Sequence, residues 1–171
     1  TCEIALQEKD LDLEKPIVIT ACDNGIMFDI EKYNNLVSNI NNDIIVFTFK
    51  KDDTSKNKPN MYSWVKTNKN LVIEKVYVKE CPFNDPFNSH CIIGTMFFRK
   101  ARYFIEGLKQ IYNKNIKTNN EYYVDNLLNP LVEHGYNLKV FEVDKYICWG
   151  THEDLNIYNY WKEHFEKNIL G

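Results

Sequence analysis

Three apolar runs, Ile17-Val-Ile-Thr-Ala-Cys22, Asp43-Ile-Ile-Val-Phe-Thr-Phe49 and Cys91-Ile-Ile-Gly-Thr-Met-Phe-Phe98, constrain this chain more than any other feature. Short, nearly continuous stretches of apolar and β-branched residues read as strands inside a sheet covered on both faces. Between the first two runs the period changes. Asp29 is a plausible N-cap for a helix from Ile30 to about Asn39, with Tyr33, Leu36 and Ile40 on one face. Alternating strand and helix signals predict an α/β protein with a largely parallel sheet and flanking crossover helices. At 171 residues, one domain accounts for the whole chain.

The first run ends on Asp23, followed by Asn24 and Gly25. A carboxylate is not left unpartnered inside a sheet, so Asp23 is expected at the strand's end. There it has two readings. It belongs to an ordinary turn, or it is a metal ligand, because ligands of open α/β sheets bind at the carboxyl ends of strands.

Further along, Lys50–Asn60 is polar and reads as a mobile surface loop. Tyr62–Thr67 and Leu71–Val78 suggest a hairpin laid beside the main sheet. The loop from Cys81 to Asn88 leads to the third apolar run, which Gly94 interrupts; a strand glycine marks a bulge or a close approach of backbone or ligand. Helices are expected over Ala101–Tyr112 and Glu121–His134, the latter closed by Gly135, then a strand over Leu138–Val143. A final helix, Glu153–Asn168 with Thr151 as N-cap, is expected to pack Leu155, Tyr158, Trp161 and Phe165 onto the core, the alternative being a partner's surface.

Bulk properties narrow the function. A formal charge of −3 with interspersed lysines offers no basic field for nucleic acid. No apolar stretch approaches the length of a membrane span, so neither nucleic acid nor membrane is an expected partner. Five cysteines without a CxxC pair suit reduced thiols in a cytoplasmic protein. The chain does not begin with Met, and Thr1–Gln7 look like the tail of a helix, so the sequence reads as N-terminally truncated.

Polar groups gather at the ends of apolar elements in four places: Asp23, Lys79-Glu80, Asn120-Glu121, and Asp144 through Trp149, Gly150 and Thr151. Each has a dull explanation as a solvated terminus or helix start. Together, carboxylates, a lysine and glycines at strand ends are what a site for phosphates and a divalent cation requires.

The order ITACDNG, VYVKECPFNDPFNSHCIIGTMFFRK, NNEYYVDNLLNPLVEHG and VDKYICWGTHEDLNIYNYW resembles the later two-thirds of a bacterial sugar-phosphate nucleotidyltransferase domain of the capsule and surface-polysaccharide type. The resemblance implies a Rossmann-like, GT-A-like α/β domain with a mixed, mostly parallel sheet. Its reaction joins a nucleoside triphosphate to a phosphorylated sugar or similar small acceptor and releases pyrophosphate, with Mg²⁺ neutralising charge. By this likeness Asp23 is a metal ligand and Lys79 faces the acceptor phosphate. Gly94 lets the acceptor lie against backbone, Asn120 and Glu121 hold its hydroxyls, and Trp149, Gly150 and Thr151 complete substrate binding.

Two departures stand out. The family's glycine-rich, triphosphate-gripping loop is not matched from Thr1 onward and is expected upstream, so this stretch alone is expected to be inactive. Where relatives carry a second metal-binding Asp, this chain has Cys148, a soft ligand unsuited to Mg²⁺; Asp144 or Glu142 is then expected to reach in, unless one carboxylate and water suffice. The alternatives are a cytidylyltransferase for a phosphorylated non-sugar acceptor, a glycosyltransferase of the GT-A type, disfavoured by the missing Asp-x-Asp, and a ligand-binding domain without catalysis. A homo-oligomer remains open.

Overall fold

A computed structural model describes residues 11–169 together with Ile4. Apart from Ile4, the expected helical tail over Thr1–Gln7 lies outside the described residues, as does Cys2.

The sheet is mixed. Strands β3 (Ile44–Phe49) and β6 (Cys91–Phe98) form its centre and pair antiparallel, while β7 (Leu138–Glu142) lies parallel to β3 on the far side. On the other flank of β6, β1 (Ile17–Ile19) pairs with its C-terminal half, and β4 (Trp64–Thr67) meets its start and continues the sheet to β5 (Ile73–Tyr77). Strands β1, β3, β4 and β7 therefore share one direction, and β5 and β6 run against them.

Every residue of β3 is buried, as its continuous apolar run requires. Ile44 and Val46 face a cluster with Phe98, Phe104 and Leu138, covered by helices α3 (Ala101–Asn113) and α4 (Leu128–Glu133). Ile45, Phe47 and Phe49 face the opposite cluster, covered by helix α1 (Ile30–Ser38) through Tyr33 and Leu36. Burying each such side chain contributes about 1.5–3 kcal/mol relative to exposure. Helix α1 begins as expected, with Asp29 Oδ1 accepting from the backbone N–H groups of Glu31 and Lys32. The hairpin β4–β5 and the bulge at Gly94 are also where the sequence places them.

Several expectations change. The first strand is neither long nor buried on both faces: β1 stops at Ile19, and Val18 is 54% exposed. Among the described residues β1 pairs with no strand other than β6. Asp23 lies in a bend between β1 and a separate strand, β2 (Asn24–Met27), which pairs antiparallel with β8 (Lys145–Cys148) in a two-stranded ribbon that the sequence did not suggest.

The helix expected over Glu121–His134 is shorter. Asn119 and Asn120 adopt positive φ, and Thr118 and Glu121 exchange backbone hydrogen bonds at 3.0 and 2.9 Å, so the chain turns before a 3₁₀ segment (Val124–Leu127) leads into α4. Left-handed Asn is a turn conformation and does not propagate a helix. Lys50–Asn60 is ordered locally instead of forming a featureless loop. Asp52 N-caps helix α2 (Asp53–Asn57), and the Trp64 indole donates to Pro59 O at 2.8 Å.

The last helix, α5 (His152–Ile169), starts at Thr151 as expected, but it does not bury its aromatic residues. Leu155, Trp161 and Phe165 are 40, 50 and 53% exposed. Tyr158 finds a ring partner in Trp149 of the ribbon's end.

Candidate active site

A cavity of about 920 Å³ opens where the end of β1, the bulge of β6, the turn after β5 and the start of α5 converge. Its size suits a small-molecule ligand. Of the residues expected to carry function, Asp23, Lys79, Gly94, Gly150 and Thr151 line it.

Gly94 sits at φ +93° in β6, at the irregularity where the β3–β6 register steps from Val46↔Met96 to Thr48↔Ile92. The bulge expected at that glycine is present and forms part of the cavity wall. Two contacts tie the bulge to the Asp23 bend: the Asn24 side-chain amide donates to Ile93 O at 3.3 Å, and the hydroxyls of Thr20 and Thr95 are 2.8 Å apart.

The Asp23 carboxylate is exposed and has no hydrogen bond or ion pair among the described residues. Its neighbour is Gly150, at which a Cβ would come within 3.3 Å of Asp23 Oδ2 and 3.6 Å of Cys148 Sγ. A side chain at 150 would crowd the carboxylate, so the glycine keeps that oxygen open to the cavity. Burial pushes the Cys148 thiol up, aided by Asp154 and opposed by Tyr146 and the Gly150 N–H, so Cys148 is a neutral thiol. Asp154 Oδ2 accepts from that thiol at 3.4 Å and is also held by the start of the last helix. Its Oδ2 accepts from the Thr151 hydroxyl at 2.7 Å and the Thr151 N–H at 3.2 Å, while the Asp154 N–H donates back to Thr151 Oγ1 at 3.1 Å, a reciprocal cap for α5.

Lys79 lies in the turn after β5 with a left-handed φ of 56°. Its ammonium donates to Met61 O and stands 5.5 Å from the Tyr123 ring. Beside it are two residues that sequence reasoning missed, Ser63 and Asp125. Burial pushes the Asp125 carboxyl above its ordinary range, while Ser63 and Lys79 pull the other way. The Ser63 contact falls short of a well-formed hydrogen bond, so Ser63 Oγ is buried without a partner. Thr151 was legible as an N-cap, whereas the Asp52 cap was read as part of a polar loop and Ser63 and Asp125 carried no local signal.

The remaining expected residues lie elsewhere. Glu121 and Asn120 are exposed in the Thr118–Glu121 turn, outside the cavity wall; the Glu121 carboxylate nonetheless pushes the hydroxyl of Tyr123, which lines the wall, toward its neutral form. Trp149 packs its ring 3.1 Å from where a Cβ on Gly25 would sit, and its indole N–H is buried without a partner outside the cavity. Asp144 is at the other end of β8 from Cys148, four strand residues away, or about 13 Å at the usual strand rise. It therefore cannot share one ion with Asp23. Glu142 pairs instead with Lys50 at 3.2 Å.

Among the described residues no group of three or more His, Cys, Asp or Glu side chains could hold a metal ion. A closed protein cage for a cation is therefore not built here. A single open carboxylate, Asp23, in a glycine-lined cradle fits a hard cation that takes its other oxygens from phosphate and water.

No protein-family model matches the sequence, and no curated protein matches it. Solved structures do. A nucleoside-diphosphate-sugar pyrophosphorylase from Vibrio cholerae RC9 superposes with a TM-score of 0.64 at 15% identity, over 91% of this chain and 60% of that one. A protein assigned as a glucose-1-phosphate thymidylyltransferase from Bacillus anthracis, solved with sucrose, gives 0.62 at 19% identity, over 94% of this chain and 57% of that one. The chain shares the Rossmann-like α/β fold of these nucleotidyltransferases and spans less than two thirds of either structure's length. Among the described residues no helix is long and apolar enough to cross a membrane.

Proposed function

We propose that this chain is the later part of a nucleotidyltransferase that joins a nucleoside triphosphate to a phosphorylated small acceptor. In that reaction an oxygen of the acceptor's phosphate bonds to the α-phosphorus, the bond from the α-phosphorus to the bridging β-oxygen breaks, and pyrophosphate leaves with its electron pair. One observation carries the reading: Asp23, Lys79 and the Gly94 bulge, distant in sequence, face one cavity of ligand size in a fold shared with such enzymes.

The roles follow from charge and position. Lys79 supplies a positive charge for the acceptor's phosphate, fixed by its contact with Met61 O. Asp23 would hold Mg²⁺, which supplies charge neutralisation when bound. Gly94 and Gly150 leave backbone and carboxylate accessible, so phosphates can approach without meeting a side chain. Positioning of the two substrates, with little covalent work by the protein, is the expected source of rate. A place in surface-polysaccharide synthesis, and a cytoplasmic one, belongs to the same reading.

The test is pyrophosphate release by the full-length protein against a panel of nucleoside triphosphates and phosphorylated acceptors. Release with one pair is the expected result. No release with any pair would overturn the proposal in favour of a binding domain.

A further inference from the structure

Lys79, Ser63 and Asp125 come to one cavity from three places in the chain: the turn after β5, the residue before β4 and the 3₁₀ segment. Asp125 is half-buried and, among the described residues, belongs to no ion pair. Burial favours its neutral form, and Lys79 pulls the other way without overcoming burial. Ser63, 2% exposed, brings to the same corner a hydroxyl without a hydrogen-bond partner.

One ammonium does not neutralise a carboxylate and a bound phosphate together. We propose that an anion bound at Lys79 drives a proton onto Asp125, so that the cavity takes up phosphate and proton together and releases them together. The inference rests on the reading that Lys79 receives a phosphate. An anion there claims the ammonium and adds a second negative charge, and both effects disfavour the Asp125 carboxylate where burial already does. By reciprocity, the anion binds more tightly wherever Asp125 is already protonated. Ser63 suits both forms, since a hydroxyl donates to a carboxylate and accepts from a carboxylic acid.

The other groups near Asp125 supply no competing charge. The Cys91 thiol on β6 is held neutral by burial, and the phenol of Tyr123 by Glu121 and burial. Farther along the wall, Tyr62, Tyr146 and Cys148 are kept neutral by burial as well. Asp23, Lys58, His152, Glu153 and Asp154 complete the titratable lining, and none of these acts on Asp125. His152 could still add its own proton, so a His152→Gln protein is measured beside wild type.

Calorimetric titration of the full-length protein with sodium sulfate tests the coupling without requiring turnover. Sulfate keeps its charge across the range of interest, whereas a phosphate monoester loses its second proton at about pH 6. Titrations in buffers of different ionisation enthalpy, from about pH 8 down to about pH 5, count the protons taken up. Wild type and His152→Gln should each take up about half a proton or more per sulfate at the most responsive pH, with Kd tightening by up to about tenfold per pH unit on acidification. Asp125→Asn should take up none and hold its Kd within about twofold across the range, binding about threefold to tenfold more tightly than wild type at about pH 8 because the competitor for Lys79 is gone. Ser63→Ala should move the pH of greatest uptake upward, since Ser63 favours the carboxylate. A role in packing alone would leave that pH in place.

The proposal is overturned if wild type binds sulfate without proton uptake, if Asp125→Asn keeps the uptake, if His152→Gln loses it, or if sulfate does not bind. Binding that Lys79→Met abolishes, yet that takes up no proton, would sink the coupling and leave the proposed phosphate site standing. Binding that Lys79→Met leaves unchanged would sink the phosphate site and the coupling with it.

Discussion

Gly94→Ala isolates the strain that shapes the cavity wall, and Gly135→Ala provides its internal standard. Both residues have positive φ, +93° and +84°. An L-residue forced to the left-handed side pays roughly 1–2 kcal/mol, and more where φ lies beyond the narrow allowed window. Against this, alanine restricts the unfolded chain and returns about 0.4–1 kcal/mol. Contacts distinguish the sites. A Cβ at 94 would meet Ala21 Cβ at 3.4 Å, an ordinary van der Waals distance, and one at 135 would meet nothing within 4 Å. Steric collision therefore adds little at either position, and each substitution should cost a net of about 0.5–1.5 kcal/mol, or about 1–6 °C in melting temperature for a domain of this size. Urea denaturation followed by tryptophan fluorescence measures both. The function should separate what stability does not: Gly94 lines the cavity and Gly135 does not, so acceptor KM should rise only in Gly94→Ala. A Gly94→Ala protein as stable as wild type would refute the strain argument. One costing over 1 kcal/mol more than Gly135→Ala would show that the contact with Ala21, and not φ, dominates.

Asp23→Asn in the full-length enzyme should lower turnover about a hundredfold or more while leaving the melting temperature unchanged, since the carboxylate makes no contact that the fold uses; near-normal turnover would reduce Asp23 to a turn residue. Thr151→Ala removes the reciprocal cap with Asp154 and should destabilise α5 by about 1 kcal/mol, seen as faster amide exchange over its first turn; unchanged exchange would refute the capping role. His90 is buried, hydrogen-bonded to Thr48 at 3.0 Å, and its pKa is lowered to about 4 by burial and by Lys50, against the opposing pull of Glu142. The unfolded chain binds that proton near pH 6.5, so stability should fall as pH drops from about 6.5 to about 4, by up to about 3 kcal/mol, and then level; a His90→Gln protein with the same acid slope would refute the assignment.

The legible part of this molecule is the part whose information is local and repetitive. The β3 strand needs burial on both faces, and that demand fills five of its six positions with apolar side chains, Thr48 being the exception. The cap at Asp29 and the bulge at Gly94 are similar, since each follows from what one residue's backbone or side chain can do. The β2–β8 ribbon was illegible for a physical reason: each strand has four residues, too few to establish a period, and they meet from opposite ends of the chain. Missing that pairing misplaced Asp144, because strand geometry puts the two ends of β8 on different parts of the molecule. Glu121 was expected to open a helix, but two left-handed asparagines just before it turn the chain and leave it in the turn, a feature the sequence does not show until their φ is known. Helix α5 shows the converse limit: a helical stripe of Leu155, Trp161 and Phe165 specifies a face that wants covering, but not whether this chain's own sheet covers it. The cavity's two halves differ accordingly. Asp23 and Gly94 announce themselves by interrupting apolar runs, whereas Ser63 and Asp125 are ordinary polar residues until long-range strand pairing buries them beside Lys79. Their chemistry comes from burial, and burial here is set by contacts between residues far apart in the chain.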